Sequence, residues 1–230
     1  MPRSRNATDI MITVIDYGMG NSGSILNMFV RIGTQAILSG KPAEIATADK
    51  LVLPGVGAFD KGMNQLHRLG LVDLLTDKVI VKQTPILGIC LGMQLFAESS
   101  EEGERRGLGW IGGRAVRFRF DAAEKELPIP HMGWNTLAAR QDHPVLVDLG
   151  DSSRFYFVHS YHVQCTDPDH VLAETRYGTT FVSAVAQGSI VGVQFHPEKS
   201  LRWGMQLFRR FVKNAGVPTT TSDSVLAIAE

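Results

Sequence analysis

The chain has 230 residues, 44% of them apolar and 20% charged, a composition typical of one globular domain with a full hydrophobic core. Its 23 basic and 23 acidic residues cancel, so neither nucleic acid nor an anionic membrane is indicated as a partner. The two cysteines imply no disulfide framework, and the first apolar run, 10–15, is too short for a signal peptide or a membrane span, so a cytoplasmic location is expected.

The first ninety residues alternate between strand-like and helix-like segments. Short apolar runs predict strands at 10–15, 35–38, 50–53 and 85–89. Apolar residues at helical spacing predict a helix between Asn21 and Gly33 and another near 59–75. Such alternation is typical of a parallel sheet covered by helices on both faces.

The chain beyond about residue 110 is rich in strand-like segments separated by turn residues. The predicted strands are 116–120, 155–158, 162–165, 171–176, 181–186 and 190–195, followed by a helix at about 202–215. We expect an α/β fold of three layers, with a largely parallel central sheet, helices on both faces and an antiparallel or mixed extension. One domain is predicted over residues 9–216, with flexible termini at 1–8 and 217–230.

The segment 88–92 reads Gly-Ile-Cys-Leu-Gly and joins a predicted strand to a helix-favouring run. This is the layout of a nucleophile elbow with Cys90 in place of serine. The glycines permit a tight turn that presents the sulfur, and the N–H of Leu91 is expected to be free to hold an oxyanion. A cysteine in this position indicates acyl chemistry, which requires a base and an acid that orients the base.

His196-Pro197-Glu198 follows the predicted strand 190–195 and offers both groups. A lone His-x-Glu is common and need not be functional, but together with the elbow it predicts a Cys-His-Glu triad. His159 and His162 are the next candidates for the base.

The segment 54–57, Pro-Gly-Val-Gly, ends a predicted strand and is interpreted as the second oxyanion loop, because its glycines can turn an N–H inward. An ordinary strand-end turn is the alternative. Residues 16–21 look like a phosphate-cradling loop, but no full dinucleotide fingerprint is present, so neither a cofactor nor a metal is expected.

Two segments, 129–135 and 155–162, combine aromatic, methionine and polar residues in a way that is unusual for a surface loop or a strand. Each could be core with a polar edge, or an exposed protein interface, where aromatic residues and methionine are enriched.

Together these motifs resemble the class I (triad) glutamine amidotransferases. The segment 88–94 is similar to the nucleophile motif of the family, 196–198 to its base and orienting acid, and 54–57 to its oxyanion loop. The segments 130–135, 156–161 and 194–200 resemble more narrowly the glutaminase subunits of imidazole glycerol phosphate synthases. The resemblance extends from about residue 12 to about residue 215.

The resemblance implies that Cys90 attacks the γ-carboxamide of glutamine, that His196 moves the proton and that Glu198 orients His196. Ammonia would leave, and water would hydrolyse the thioester to glutamate. Further roles are implied for the oxyanion donors Val56 and Leu91, for the glutamine-binding residues Gly57, Gln94, Glu102, Ser160 and Tyr161, and for the partner-facing residues Asn21, Met132, Trp134, Asn135, Tyr156, His159 and Lys199.

The implied partner is a (β/α)8-barrel cyclase that forms a heterodimer with this chain. It would receive ammonia through an internal channel and make imidazole glycerol phosphate and AICAR in histidine biosynthesis. Such glutaminases are nearly silent until the partner and its ligand are bound. Our hypothesis for the switch is a rotation of the peptide before Val56, which would replace a carbonyl by an N–H in the oxyanion site.

Two alternatives remain open at this point. The same glutaminase chemistry could supply ammonia to an amidotransferase that modifies surface-polysaccharide sugars. A stand-alone Cys hydrolase or an inactive regulatory module is the alternative from a different class. The protein that binds and stimulates this chain would distinguish the first two.

Overall fold

The computed structural model describes residues 10–120, 127–147 and 152–214, so the termini predicted to be flexible lie outside the described residues. The strands are β1 (Ile12–Ile15), β2 (Ala36–Ser39), β3 (Lys50–Leu53), β4 (Ile86–Ile89), β5 (Ser99–Ser100), β6 (Gly113–Arg117), β7 (His131–Thr136), β8 (Ala138–Ala139), β9 (Arg154–His159), β10 (Tyr161–Cys165), β11 (Val171–Tyr177), β12 (Thr179–Gln187) and β13 (Ile190–Val193). The helices are α1 (Ser22–Arg31), α2 (Pro42–Ala46), α3 (Phe59–Arg68), α4 (Leu71–Thr76), α5 (Leu91–Gln94) and α6 (Leu201–Asn214), with a π-helical turn at Asp77–Val81.

The central sheet has eight strands in the order β2-β1-β3-β4-β13-β12-β11-β8. The pairs from β2 to β13 are parallel, and those from β13 to β8 are antiparallel. The expected parallel sheet with a mixed extension is therefore confirmed. The remaining strands form two small separate sheets, β10-β6-β5 and β7-β9, which pack against the main sheet.

Along β1, β3, β4 and β13, alternate side chains enter separate cores on the two faces of the sheet, as the strand period requires. On β1, Ile12 and Val14 pack in the core formed with α1 and α6, whereas Ile15 packs in the core formed with α2 to α5. The chain thus has the predicted three layers, and the carboxyl ends of β3, β4 and β13 meet at one edge.

Two local predictions are refined by the structure. The helical stretch expected near 59–75 is confirmed, but Gly70, with φ +65°, divides it into α3 and α4. The strand expected at 116–120 is β6, which begins at Gly113 and ends at Arg117 in register with β10. The short α2, with Pro42 in its first turn, and strand β7 were missed.

None of the helices within the described residues is long and apolar enough to cross a membrane.

Candidate active site

The nucleophile elbow lies between β4 and α5, and the residue with the strained backbone conformation is the cysteine itself. Cys90 has φ +54° and ψ −109°, and its N–H donates a 2.8 Å hydrogen bond to the carbonyl oxygen of Val193. A Cβ added at Gly88 would clash with the ring of Phe96, and one added at Gly92 would clash with the carbonyl oxygen of Leu53. The flanking glycines are therefore required for space.

His196 and Glu198 form a buried pair at the end of β13. Nδ1 of His196 lies 2.8 Å from Oε1 of Glu198, and their side chains are 2% and 4% exposed. Pro197 begins a 3-10 turn, and the carboxylate of Glu198 within this turn reaches Nδ1 of the ring. The His196 backbone is held by two bonds, since its N–H donates to the Tyr156 carbonyl at 2.8 Å and the Ser200 hydroxyl donates to its carbonyl at 2.6 Å.

The electrostatics of the pair favour a charged imidazole. Burial alone lowers the pKa of His196, but the neighbouring Cys90 and Glu198 groups outweigh it and raise that pKa to about 10. Nε2 of His196 is buried and has no hydrogen-bond partner among the described residues. Because Nδ1 is engaged by Glu198, Nε2 is the atom available to take the thiol proton.

An open cleft of about 380 Å³ borders Cys90. The structure brings to its lining all five residues predicted to hold glutamine, namely Gly57, Gln94, Glu102, Ser160 and Tyr161. Two of these are fixed by hydrogen bonds. Nε2 of Gln94 donates to the Tyr161 carbonyl at 3.0 Å, and Oε2 of Glu102 accepts the N–H of Phe59, the first residue of α3, at 2.8 Å.

The oxyanion loop adjoins the cleft, but the expectation that the N–H of Leu91 is free was wrong. That N–H donates a 3.3 Å hydrogen bond to the carbonyl oxygen of Gly55. Val56 is 46% exposed in the cleft. The Tyr17 hydroxyl donates to the Pro54 carbonyl at 2.6 Å and anchors the start of the loop. The loop therefore lies beside the predicted oxyanion site, but its Gly55 carbonyl is directed at the N–H of Leu91, which was expected to be the first oxyanion donor.

The two aromatic segments form the β7–β9 ribbon, whose outer face is exposed. Trp134 pairs with Tyr156 across the strands, and Met132 pairs with Val158, which lines the cleft. Met132 is 61% exposed and Trp134 is 47% exposed. Nζ of Lys199 lies 5.6 Å from the centre of the Tyr156 ring. The exposed face favours the interface interpretation of these segments over a core with a polar edge.

Three other residues predicted to face a partner differ in exposure. Asn21 is exposed at the start of α1, and Asn135 is half-buried, with its Nδ2 donating to the Arg176 carbonyl at 3.0 Å. His159 is the exception, because it is only 6% exposed on the inner face of the ribbon. Its side chain lines the cleft and offers almost no surface to a partner while the ribbon keeps this arrangement.

His159 belongs to a buried cluster of histidines that pack around the ring of Phe118. Its Nε2 lies 3.1 Å from Nδ1 of His131, and its Nδ1 lies 2.8 Å from the Tyr161 carbonyl. Burial lowers the pKa of His131 and of His162 to about 4, and that of His159 well below its ordinary value. These imidazoles are neutral at pH 7, which excludes His159 and His162 as the charged partner of the thiolate.

Gln194 was not among the predicted site residues, although it stands two residues before His196. Its side chain is fully buried, and its Nε2 lies 3.6 Å from Sγ of Cys90. Its position in the 194–200 motif was a signal, but no sequence pattern shows that this carboxamide reaches the sulfur.

Both cysteines, Cys90 and Cys165, are free thiols. Within the described residues, no group of three or more His, Cys, Asp or Glu side chains could hold a metal ion.

Known proteins match most of the length of the chain. A family model described as "Glutamine amidotransferase class-I" matches residues 13–215. A protein of Pseudomonas aeruginosa named imidazole glycerol phosphate synthase subunit HisH 2 is 50% identical over 88% of this chain and 99% of its own length. A protein of the same name from Methanococcus maripaludis is 51% identical over 89% of this chain and 100% of its own. A subunit HisH from Sulfurimonas denitrificans is 46% identical over 88% of this chain and 98% of its own.

Solved structures share the fold at lower identity. A structure described as a glutamine amidotransferase superposes with a TM-score of 0.67 at 22% identity, covering 90% of this chain and 99% of that one. The structure of PurLQS from Thermotoga maritima superposes with a TM-score of 0.65 at 14% identity, covering 88% of this chain and 97% of that one.

Proposed function

Because the chain belongs to the family of class-I glutamine amidotransferases, we propose that it is the glutaminase subunit of an imidazole glycerol phosphate synthase. It hydrolyses glutamine to glutamate and passes the ammonia to a partner cyclase. The observation that carries this proposal is Cys90, which lines the cleft from its elbow, with the buried His196–Glu198 pair next to its thiol. The named relatives support the choice of synthase.

The reaction follows from the positions of these groups. The Cys90 thiolate attacks the γ-carbonyl carbon of glutamine, and the negative oxygen is held by the N–H groups of Leu91 and Val56. Nε2 of His196 has taken the thiol proton and gives it to the departing amine, so ammonia leaves and a γ-glutamyl thioester remains. His196 then removes a proton from water, which attacks the thioester, and the thiol is regenerated as glutamate departs.

The resting loop explains why such a glutaminase would wait for its partner. The Gly55 carbonyl oxygen accepts the hydrogen bond of the Leu91 N–H. An oxyanion formed in this arrangement would therefore lie against a carbonyl oxygen and would lack a hydrogen-bond donor. Rotation of the Gly55–Val56 peptide removes that carbonyl and supplies the N–H of Val56. Docking of the partner on the exposed face that carries Met132 and Trp134, beside the cleft, is the proposed trigger.

The proposed partner is a (β/α)8-barrel cyclase that forms a heterodimer with this chain and receives ammonia through an internal channel. The proposed contacts are Asn21, Met132, Trp134, Asn135, Tyr156 and Lys199, together with the ribbon backbone beside His159. No cofactor takes part in this chemistry. A free catalytic thiol suits a reducing compartment, so the proposed location is the cytoplasm.

An amidotransferase that modifies surface-polysaccharide sugars is the alternative recipient of the ammonia. It would use the same triad and cleft, and only the protein on the exposed face would differ. The relatives named as imidazole glycerol phosphate synthase subunits favour the cyclase.

The deciding experiment measures glutamine hydrolysis by the chain alone, with the cyclase, and with the cyclase and its ribonucleotide substrate. Strong activation by the complete mixture is expected. Full activity of the chain alone would contradict the proposal, and activation by a sugar-modifying synthetase in place of the cyclase would favour the alternative.

A variant pair tests the nucleophile in the same assay. Cys90→Ser should abolish glutamine use but leave synthesis from free ammonia intact in the complex, whereas Cys165→Ser should retain both. Loss of both activities in Cys90→Ser would show damage to folding or docking.

A further inference from the structure

We propose that Gln194 is a positioning residue that directs an N–H at the sulfur of Cys90 and fixes the carboxamide of Gln94, an inference that rests on the glutaminase reaction proposed above. Gln194 directly follows β13 and has no exposed surface. Its backbone N–H donates to the carbonyl of Ser183 at 2.9 Å, which holds the residue in line with the sheet. Its side chain is therefore delivered to the elbow by the strand beside β4.

The orientation of both carboxamides is fixed by one backbone carbonyl. The Tyr161 carbonyl can only accept a hydrogen bond, and the Gln94 side-chain atom 3.0 Å away must be its NH2 group. The same NH2 group lies 3.0 Å from the side chain of Gln194, so the Gln194 atom facing it must be the acceptor Oε1. This leaves Nε2 of Gln194 facing Sγ of Cys90 at 3.6 Å.

The resulting chain of hydrogen bonds acts on the nucleophile. A thiolate accepts hydrogen bonds more strongly than a thiol does, so a fixed N–H donor favours the charged form. The carbonyl of Val158, 3.9 Å from Sγ, could be bonded only by the neutral thiol. Gln194 thus favours the reactive thiolate form, while His196 takes the proton.

The same chain acts on substrate binding. The NH2 group of Gln94 has both its hydrogens committed, to Tyr161 and to Gln194, so only its Oε1 remains to form a new hydrogen bond. Gln94 lines the cleft, and a carboxamide locked in this way offers an acceptor to a donor group of the substrate, such as an ammonium. Gln194 therefore determines the polarity of one wall of the cleft without touching the substrate.

The test measures iodoacetamide alkylation of Cys90 across a range of pH, followed by mass spectrometry of the Cys90 peptide so that Cys165 does not contribute. Gln194→Met keeps the length of the side chain but removes the N–H donor. We expect the midpoint of the profile to rise by about one pH unit and alkylation below the midpoint to slow about tenfold, since hydrogen bonds to charged groups are worth at least this much. An unchanged profile in a variant that keeps its melting temperature would overturn the proposal.

Two further variants separate the roles of the carboxamide. Gln164→Met changes an exposed carboxamide on β10 and should leave the profile as it is. Gln194→Glu keeps an acceptor for Gln94 but loses the donor to Cys90. It should therefore slow alkylation at least as much as Gln194→Met, with a smaller rise in KM for glutamine in the activated complex. Equal KM values for the two variants would overturn the Gln94 part of the proposal.

A measurement on the unaltered protein covers the case in which the Gln194 variants do not fold. The side-chain amide protons of Gln194, followed by NMR, should shift with pH at the midpoint of Cys90 alkylation. Amide protons that do not respond would overturn the proposal. Alkylation and NMR need no partner, so they can succeed where partner activation fails, which keeps the failure of the two proposals distinguishable.

Discussion

The backbone N–H of Leu91 donates a 3.3 Å hydrogen bond to the carbonyl oxygen of Gly55. The loop expected to complete the oxyanion site thus blocks it in this arrangement. A switch in such a site needs only the rotation of one peptide, because replacing a carbonyl by an N–H reverses the local polarity at nearly constant shape.

Replacement of Val56 by proline tests this rotation. Proline has no N–H, so the second oxyanion donor is lost in the active arrangement, whereas the resting arrangement does not use it. Partner-stimulated glutaminase activity should fall on the order of 10²-fold, and basal activity should change little. Val56→Ala retains the N–H and serves as the control; equal losses of basal and stimulated turnover in Val56→Pro would contradict the mechanism.

Gly55 is a poorer position for this test. A Cβ there would lie 2.7 Å from the Tyr17 hydroxyl and 2.8 Å from the Leu91 Cβ. A β-branched residue at Gly55 would therefore distort the loop and the elbow together, and its effect on turnover would not isolate the peptide rotation.

Glu198→Gln should separate orientation of the base from binding of the substrate. The carboxamide can donate to Nδ1 of His196, which would leave the proton on Nε2 and prevent it from accepting the thiol proton. We expect kcat for glutamine to fall on the order of 10²- to 10⁴-fold with little change in KM. Steady-state kinetics of the complex measure both, and Glu44→Gln, which breaks a surface pair with Lys41, is the control. A kcat within about threefold of the unaltered protein would show that Glu198 does not orient the base.

The buried histidines predict a loss of stability in mild acid. The fold lowers the pKa of His131 and His162 to about 4, whereas the unfolded chain protonates its histidines near pH 6.5. Between these values the unfolded state binds more protons. The free energy of unfolding should therefore fall as the pH drops from 6.5 to 4, by about 1.4 kcal/mol per pH unit for each such imidazole.

Denaturant unfolding of His162→Phe measures one of these contributions. The phenyl ring keeps the packing against Phe118 and Phe181, whose ring centres lie 4.9 and 5.7 Å from His162, but it cannot be protonated. The slope of the free energy of unfolding against pH should therefore decrease by about 1.4 kcal/mol per pH unit, the contribution of one imidazole. His67→Gln alters an exposed histidine and should keep the full slope; the same slope in His162→Phe would show that His162 does not contribute.

Trp134→Ala tests the exposed face of the β7–β9 ribbon. Trp134 is 47% exposed and rests against Tyr156, a typical arrangement for an aromatic anchor in an interface. Calorimetric titration with the cyclase should show a dissociation constant raised about 30-fold, which corresponds to about 2 kcal/mol. Val81→Ala is the control, because Val81 is also an exposed apolar residue but lies before β4, at the opposite edge of the sheet from the cleft. This variant should bind the cyclase with unchanged affinity. Unchanged affinity of Trp134→Ala would place the interface elsewhere.

The sequence by itself determined the layered sheet and the elbow, and it predicted the three residues that we propose as the triad. These follow from local patterns: apolar runs between glycine-rich turns, and reactive side chains placed directly after strands. The strand β3 was predicted with its observed bounds, Lys50–Leu53, because its apolar residues 51–53 form a continuous run that ends at Pro54. The site residues could be proposed from the same patterns and from the resemblance they carry.

Only the tertiary structure decided which groups are available to react. The Leu91 N–H donates its hydrogen bond to the Gly55 carbonyl, and His159 is buried on the inner face of the ribbon. The side chain of Gln194 reaches the sulfur of Cys90. Each depends on a contact between segments that are far apart in the chain. A sequence pattern records the periodicity of one segment, but hydrogen-bond direction and burial are set by the neighbours that the fold brings beside it.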